Sequence, residues 1–209
     1  VNDAEDESAI NLVIITVGAE DDQVVTATLN SATYQCTIST NTCTASITSA
    51  GLKALSEASH TFSVAVSDSS GNAATADTSE SFIVDRTAPT STTSVESVNG
   101  DGNGNDGDVV SITMDPSETV GTPVCTFADT SGAMADTSVT YTTSSPDTHI
   151  ASVTIDNTDA DGAVTSSCTY SDLAGNAIAS AITSPSSGAV TIDNTHPSIS
   201  SVVADWGAY

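Results

Sequence analysis

Apolar and polar residues alternate along much of this chain with the two-residue period of half-buried β-strands. The alternation is clearest at residues 24–29, 60–67 and 109–114, and residues 10–17 form a nearly continuous apolar run of strand length. Weaker stretches predict further strands at residues 81–84, 124–127, 139–143, 150–155, 164–170 and 189–192. Turn-forming Gly, Asp, Asn and Ser separate the strands at intervals of about ten residues, which is typical of a β-sandwich. Residues 51–59 have the pattern of a single helical turn, which is too short to change the fold class. The chain is therefore predicted to be all-β.

A two-part block occurs twice in the chain. Each copy has an Asp-x-x-Gly-Asn turn, a following strand and a closing Asp-x-Thr-x-Pro motif. The turns lie at residues 68–72 and 172–176, and the closing motifs at residues 85–89 and 193–197. Recurrence at this spacing indicates tandem copies of one small domain. The predicted organisation is two β-sandwich domains at residues 1–88 and 89–197, followed by the first strand of a further repeat or a linker tail at residues 198–209.

The charge balance restricts the partners of the chain. Its 209 residues include 27 acids against only Lys53 and Arg86, for a net charge of −25. Nucleic acid is excluded as a partner because it is bound through Lys and Arg, and binding to anionic membranes is excluded for the same reason. Unpaired carboxylates repel one another, so the fold is expected to need high ionic strength or divalent cations, and both conditions point outside the cell. The alternative is that the acids serve solubility alone.

The four cysteines indicate an oxidising compartment. No Cys-x-x-Cys motif and no neighbouring His has the spacing of a metal site, so disulfides are expected. Cys36 and Cys43 flank a polar turn, and a bridge between them would join one hairpin. Cys125 and Cys168 would close a longer and more stabilising loop. Three pairings are possible, and these two are preferred because each stays within one domain; the alternative is free buried thiols.

The chain shows no initiator Met, no signal-peptide pattern and no apolar run long enough to cross a membrane. We therefore expect a processed or excised segment of a longer extracellular or cell-surface protein, without membrane insertion. Asn-x-Ser and Asn-x-Thr sequences are absent. O-linked glycans on hydroxyl-rich stretches such as residues 90–94 are the modification that the sequence allows.

The repeated motifs resemble those of a known family. The Asp-x-x-Gly-Asn turn, the Asp-x-Thr-x-Pro motif, the strand at residues 107–113 and the Glu118-Thr119-Val120 triplet are similar to bacterial immunoglobulin-like (Big-type) tandem repeats of large secreted surface proteins and adhesins. The resemblance implies tandem immunoglobulin-like β-sandwiches in an extended rod, with calcium at the joints. The cysteines and the insertion at residues 99–108 depart from the usual repeat pattern.

Acids near the predicted joints are candidate calcium ligands, because calcium takes six to eight oxygen ligands. Two interpretations stand for the repeated turns: a carboxylate that only binds turn N–H groups, or one that also coordinates a cation. The insertion alternates oxygen side chains with Gly, yet it is no EF-hand, because Val110 stands where that motif has Glu. A solvated loop is the alternative there. The candidate ligands are Asp68, Asp85, Asn99, Asp101, Asn103, Asp106, Asp108, Asp172 and Asp193.

Catalysis has little support in the sequence. His60, His149 and His196 are separated along the chain, so a nucleophile and base would meet only by accident. Trp and Tyr are too few to form a stacking platform for sugars. Trp206 and Tyr209 are predicted to belong to the unfinished third repeat and to take part in assembly.

The sequence therefore predicts a non-enzymatic structural repeat segment of an extracellular adhesin, sheath or filament. Calcium would stiffen its joints, and its partners would be neighbouring copies or adjacent repeats, arranged head to tail. The alternative is a calcium-dependent glycan- or protein-binding module. Acids clustered at joints would favour the first function, and acids clustered with Trp or Tyr at one exposed tip would favour the second.

Overall fold

The computed structural model describes residues 1–97, 100, 102–144, 147–183 and 185–203. The chain separates into two compact units. Unit 1 comprises Val1–Ala88 with the short segment Leu173–Asn176, and unit 2 comprises Pro89–Asp172 with Ala177–Tyr209. The main division lies between Ala88 and Pro89. Each unit has its own apolar core, and the described regular structure is β-strand apart from one short helix.

Unit 1 is built from eight strands and the helix. They are β1 (Ile10–Ile15), β2 (Val24–Leu29), β3 (Ala32–Thr37), β4 (Thr42–Ile47), α1 (Ser49–Lys53), β5 (Ala58–His60), β6 (Ser63–Ala65), β7 (Asp77–Thr78) and β8 (Phe82–Val84). The sheet orders are β1-β4, β3-β2-β6-β7 and β5-β8, and all pairs are antiparallel. Val25, Ala27 and Leu29 of β2 are fully buried, so the predicted alternation sets which face of this strand meets the core.

Two tight turns direct the chain through unit 1. Asn30 and Ser31 both have positive φ, 47° and 66°, which is the backbone of a two-residue type I′ hairpin turn between β2 and β3. Thr40 and Asn41 repeat this conformation at 55° and 61°. The second turn carries the chain from β3, which pairs with β2, to β4, which pairs with β1. Ser39 and Thr42 form an antiparallel bridge that closes this turn, so the Cys36–Cys43 disulfide joins the two arms of one hairpin, as predicted, and at the same time links the two sheets.

The described residues of unit 2 form nine strands. They are β9 (Ser91–Ser97), β10 (Asn103–Gly104), β11 (Val109–Pro116), β12 (Val124–Ala128), β13 (Thr140–Ser144), β14 (Thr148–Thr154), β15 (Gly162–Ala163), β16 (Thr165–Thr169) and β17 (Thr191–Ile192). The sheet orders are β13-β14-β11-β9, β12-β16 and β10-β17-β15, and β10 pairs with β17 in parallel. Val110, Ile112 and Met114 of β11 are fully buried at the centre of the core. The all-β class and the sandwich fold predicted from the sequence are confirmed.

Two of the differences between the structure and the predicted elements concern residues 60–67 and residues 90–94. The predicted strand at residues 60–67 is broken at Thr61–Phe62, because β5 pairs with β8 whereas β6 pairs with β2, so the chain changes sheets there. The stretch at residues 90–94, expected only as a hydroxyl-rich surface, enters strand β9, where Thr93 is 6% exposed. Its alternation escapes notice because polar Thr93 and Ser97 occupy core-facing positions beside Val95.

The final described residues carry no strand. Ile199, Val202 and Val203 are each about 85% exposed. Trp206 and Tyr209, which the sequence analysis assigns to assembly, lie outside the described residues. None of the described residues belongs to a helix long and apolar enough to span a membrane.

Candidate functional site

The first Asp-x-x-Gly-Asn block forms a closed turn around its aspartate. Oδ1 of Asp68 accepts from the main-chain N–H groups of Ser70 (2.9 Å) and Asn72 (2.7 Å), and Oδ2 accepts from Asn72 Nδ2 (2.8 Å). The Asn72 side-chain amide, followed by its backbone N–H, lowers the pKa of Asp68. Gly71 has a φ of 86°, the left-handed conformation that glycine adopts without strain. Both oxygens are engaged within the turn, so the turn geometry alone accounts for this aspartate.

The second block repeats this local geometry. Gly175 has a φ of 95°, and Ser171 and Ala177 form an isolated bridge that matches the bridge between Ser67 and Ala73 in the first block. Asp172 is only 6% exposed. The repeated sequence therefore encodes a repeated turn, as a structural interpretation of the motif requires.

Four of the predicted ligands lie at one end of unit 2. Asp193 donates its N–H to the carbonyl of Gly104 (3.0 Å), and Asp106 donates its N–H to Oδ1 of Asn194 (2.9 Å). Asp108 closes the loop, because its Oδ2 accepts from Asn105 N–H at 3.0 Å. These contacts bring the insertion, with its predicted ligands Asn103, Asp106 and Asp108, against the closing motif that contains Asp193. Asn99 and Asp101 lie outside the described residues.

Further acids at this end are fixed by main-chain hydrogen bonds, and the sequence analysis did not single them out. Asp129 accepts from the N–H groups of Ser131 (2.7 Å), Gly132 (2.9 Å) and Ala160 (2.7 Å). The Ala160 contact, followed by the Ser131 hydroxyl, lowers the pKa of Asp129 from 3.8 to about 2. Asp159, 5% exposed, accepts from Ala135 N–H at 2.7 Å. These two carboxylates hold loops in place, a role that composition cannot distinguish among 27 acids.

Asp161 and Asn194 connect the same loops to the closing motif. Asp161 accepts from Asn194 N–H (2.6 Å) and from the Thr195 hydroxyl (2.5 Å), and the hydroxyl contact is the main cause that lowers the pKa of Asp161. Asn194 Nδ2 donates to the carbonyls of Asp156 and Asp159, each at 3.1 Å. The Asp-x-Thr-x-Pro motif therefore anchors the end of unit 2 through its Asn and Thr side chains.

Both basic side chains of the chain are used inside unit 1. Arg86 Nε lies 2.7 Å from Oδ2 of Asp6, with the two side chains 16% and 3% exposed. Its other nitrogens donate to the carbonyls of Leu52 (2.9 Å) and Leu55 (3.0 Å). Lys53 forms a more exposed pair with Glu7 at 2.6 Å. These contacts of Arg86 all lie within unit 1. The neighbouring Asp85 accepts at Oδ1 from the N–H of Thr87 at 3.1 Å.

The cysteines form the two predicted disulfides. The S–S distances are 2.10 Å for Cys36–Cys43 and 2.06 Å for Cys125–Cys168, and none of the cysteines is free. Cys125 and Cys168 stand directly opposite each other on β12 and β16. Each bridge lies within one unit.

The acids do not converge on a metal centre within a unit. Among the described residues of either unit taken alone, no three His, Cys, Asp or Glu ligand atoms lie within 4.8 Å of one another. The donor set around Asp106 and Asp193 is nevertheless hard oxygen, the ligand type that calcium requires. A calcium ion there would need backbone carbonyls and water to complete its coordination.

Known proteins resemble the chain in structure. It matches no protein-family model and no curated protein. It is similar to a solved region of a 1.5-MDa bacterial ice-binding adhesin, from work on host cell surface retention, with 25% identity, a TM-score of 0.58 and coverage of 92% of this chain. The chain spans 60% of the length of that structure.

Two other solved structures match with lower TM-scores. One is a tetra-tandem repeat from the extending region of a large adhesion protein, at 20% identity and a TM-score of 0.38, covering 88% of this chain and 45% of that one. The other contains fibronectin(III)-like modules of Clostridium thermocellum CbhA, at 14% identity and a TM-score of 0.37, covering 88% of this chain and 84% of that one. The chain is a pair of immunoglobulin-like β-sandwich units that is similar, over 92% of its length, to a solved region of a bacterial adhesin.

Proposed function

We propose that this chain is a non-enzymatic structural repeat segment of an extracellular surface adhesin, sheath or filament. The observation that carries the proposal is the likeness to the ice-binding adhesin, which extends over 92% of the chain and includes both sandwich units. A segment of this kind spaces other domains of a longer protein, and its function lies in the number and order of its units. Two intra-unit disulfides support an extracellular location, because such bridges persist in oxidising compartments.

Several features argue against chemistry at a single pocket. His60 contacts the Ser56 carbonyl at 2.9 Å, and His149 is buried beside the Thr143 hydroxyl at 3.4 Å, so both are engaged locally. The acids with the strongest main-chain contacts, such as Asp129, hold turns. The partners of this segment are accordingly adjacent repeats of a longer chain or neighbouring copies, joined head to tail.

Calcium belongs to the proposal as a stiffening ligand of the joints. Support comes from the charge and from the loop contacts: residues 87–209 contain no Lys or Arg, and the predicted ligands Asp106 and Asp193 are exposed at one end of unit 2. Calcium binding there would neutralise acids that repel one another and hold the insertion against the closing motif. Magnesium is the weaker candidate because it demands a stricter octahedral geometry.

The calcium proposal is tested by thermal unfolding and small-angle scattering, each with calcium and with a chelator. Calcium at 100 times its dissociation constant should stabilise the binding unit by about 2.7 kcal/mol. Asp106→Asn should remove that gain. Asp147→Asn is the matched control, because it removes the same charge at the turn between β13 and β14. An unchanged melting temperature together with an unchanged scattering curve would refute calcium and leave the spacer function standing.

The spacer function is tested separately by the order of the repeats. The gene that encodes this segment should carry further sandwich units of the same pattern. A single-copy context, or measurable turnover of a substrate by the purified chain, would contradict it.

A further inference from the structure

The two units differ at the strand that begins each sandwich. In unit 2, β9 covers the outer edge of β11, with Val95 opposite Ile112 and Thr93 opposite Met114. Val95 and Thr93 are each 6% exposed, and the two β11 residues are completely buried. Strand β9 therefore closes the sandwich along one side of unit 2.

Strand β1 of unit 1 corresponds to β11 of unit 2. In each unit this strand comes just before the strand (β2 or β12) that pairs with the one leading into the Asp-x-x-Gly-Asn turn (β6 or β16). Strand β1 pairs antiparallel with a later strand, β4, as β11 pairs with β14. Within the described part of unit 1, no strand pairs with the other edge of β1. Thr16 donates to Asn41 on the β4 side, so by alternation the backbone groups of Asn11, Val13 and Ile15 point to the open edge.

The open edge borders a groove of about 570 Å³ within unit 1, which is lined by apolar residues and also by polar ones such as Asp68 and Asp77. Its lining includes Leu12, Ile14, Phe62, Val64, Val66 and Ala74. Counted back from the repeated turns, Val64 and Val66 correspond to Cys168 and Tyr170 of unit 2. The unit 2 residues are 0% and 5% exposed, whereas Val64 and Val66 are only half-buried. Unit 1 therefore leaves more of this core surface exposed than unit 2 does.

The chain carries a segment of the type that fills this place. Residues 198–203 follow Pro197 as β9 follows Pro89 after the same Asp-x-Thr-x-Pro motif. Counted from these prolines, Ser201 and Val203 match the buried positions Thr93 and Val95 of β9, and Ile199 matches the half-buried Ser91 on the same face. Ile199 and Val203 are 85% exposed. The segment has no charged residue, so it can approach a chain of net charge −25 without local repulsion.

We propose that the open edge of β1 is an acceptor site for residues 198–203 of a second copy of this chain. The donated strand pairs antiparallel with β1, as β9 pairs with β11, and places Ile199 and Val203 in the groove. The edge N–H and C=O groups gain partners, and the apolar surface of Val64 and Val66 leaves water. This inference rests on the head-to-tail assembly in the proposed function and specifies the surfaces that meet.

Self-association of the whole chain tests the proposal by sedimentation over a range of concentrations in high salt. The donor variant Ile199→Asp/Val203→Asp puts two charges on the inward face and should weaken association by about 100-fold or more. Its matched control, Ser198→Asp/Val202→Asp, adds the same charges to the outward face and should associate nearly as well as the parent. The acceptor variant Val13→Pro removes an edge N–H without breaking the ladder with β4.

Mixing the two defective chains gives the decisive result. Each variant alone should be monomeric. The Val13→Pro chain can still donate its residues 198–203, and the donor variant still has an intact β1 edge that accepts them. The mixture should therefore form a dimer of one chain of each kind, which cannot add a third chain. Hydrogen exchange provides a readout that does not depend on Val13→Pro folding. A synthetic peptide of residues 196–205 should protect the β1 amides of the donor variant, and a scrambled peptide should not.

Three results would overturn the proposal in different ways. Association that survives both variants would place the contact on another surface and leave head-to-tail assembly standing. Peptide protection of β1 in a chain that stays monomeric at all concentrations would refute a second copy as the donor. A monomeric chain with no peptide protection would refute the acceptor site altogether, while calcium-dependent stiffening and the repeat context would still be decided by their own tests.

Discussion

Replacing Arg86 with methionine removes the cation from a buried ion pair and is expected to destabilise unit 1 strongly. Asp6 would keep a carboxylate that is 3% exposed and would lose its partner at 2.7 Å. The carbonyls of Leu52 and Leu55, at and just beyond the end of α1, would each lose a guanidinium donor as well, although the Leu52 carbonyl would keep the N–H of Leu55. Methionine retains much of the side-chain volume, so the change tests charge and hydrogen bonding more than packing.

The magnitude follows from the burial of the pair. Removing one partner of a buried ion pair costs about 3–5 kcal/mol, because the other charge stays buried without compensation. A domain is stable by only about 5–15 kcal/mol, so the loss is a large share of the stability of unit 1. Lys53→Met is the matched control. It removes the same charge from the pair with Glu7, whose side chains are 45% and 66% exposed, so solvent screens the pair and its loss should cost little.

The assay must separate the units, because unfolding of a two-unit chain is not a single two-state transition. Hydrogen exchange followed by mass spectrometry in increasing urea gives a free energy of opening for peptides of β1 and β4, and peptides of β11 and β14 serve as an internal reference. Asp6→Leu combined with Arg86→Met should restore most of the loss, because neither charge is then left unpaired. Equal small losses for Arg86→Met and Lys53→Met, or no rescue by the double variant, would refute the reasoning.

Three other expectations concern pH, disulfides and salt. The pKa of Asp129 is lowered to about 2 in the folded chain. Its stabilising contribution is therefore complete above the unfolded pKa of about 4 and is lost as the pH falls toward 2. Asp129→Asn should accordingly flatten the acid side of a plot of the melting temperature of unit 2 against pH. Loop-closure entropy predicts a loss of about 4 kcal/mol for Cys125→Ser/Cys168→Ser and about 2 kcal/mol for Cys36→Ser/Cys43→Ser, so equal urea midpoint shifts in their respective units would contradict it. The net charge of −25 predicts that added NaCl raises both melting temperatures at low ionic strength, and a flat response would show that the acids do not repel measurably.

A strand is easiest to predict from the sequence when its core-facing positions are apolar. The bounds of β2 are predicted without error because Val25 and Leu29 alternate with Thr residues. Strand β9 is missed as a strand because Thr93 and Ser97 face the core, and hydroxyl groups there give no hydrophobic period. The change of sheet near Phe62 depends on which partner strands lie nearby, and such pairing has no local signal.

The candidate site could be predicted only in outline. The disulfide pairing follows from keeping each bridge within a domain, and the repeated turn around Asp68 follows from its motif. The pairing of Arg86 with Asp6 joins residues 80 positions apart, so it depends on the completed fold. Among so many acids, the ones that bind main-chain N–H groups, such as Asp129 and Asp161, are identified only by the loops that surround them.

The two disulfides affect how far the chain can be stretched under tension. A covalent bridge removes the residues between its cysteines from the path that carries a pulling force. At about 3.5 Å per extended residue, the separation of 43 in Cys125–Cys168 withholds about 150 Å, and the separation of 7 in Cys36–Cys43 withholds about 25 Å. A pulled chain would therefore yield much less length in an oxidising medium than after reduction. The redox state of the surroundings would thus set how far the chain extends under force, and unit 2 supplies most of that difference.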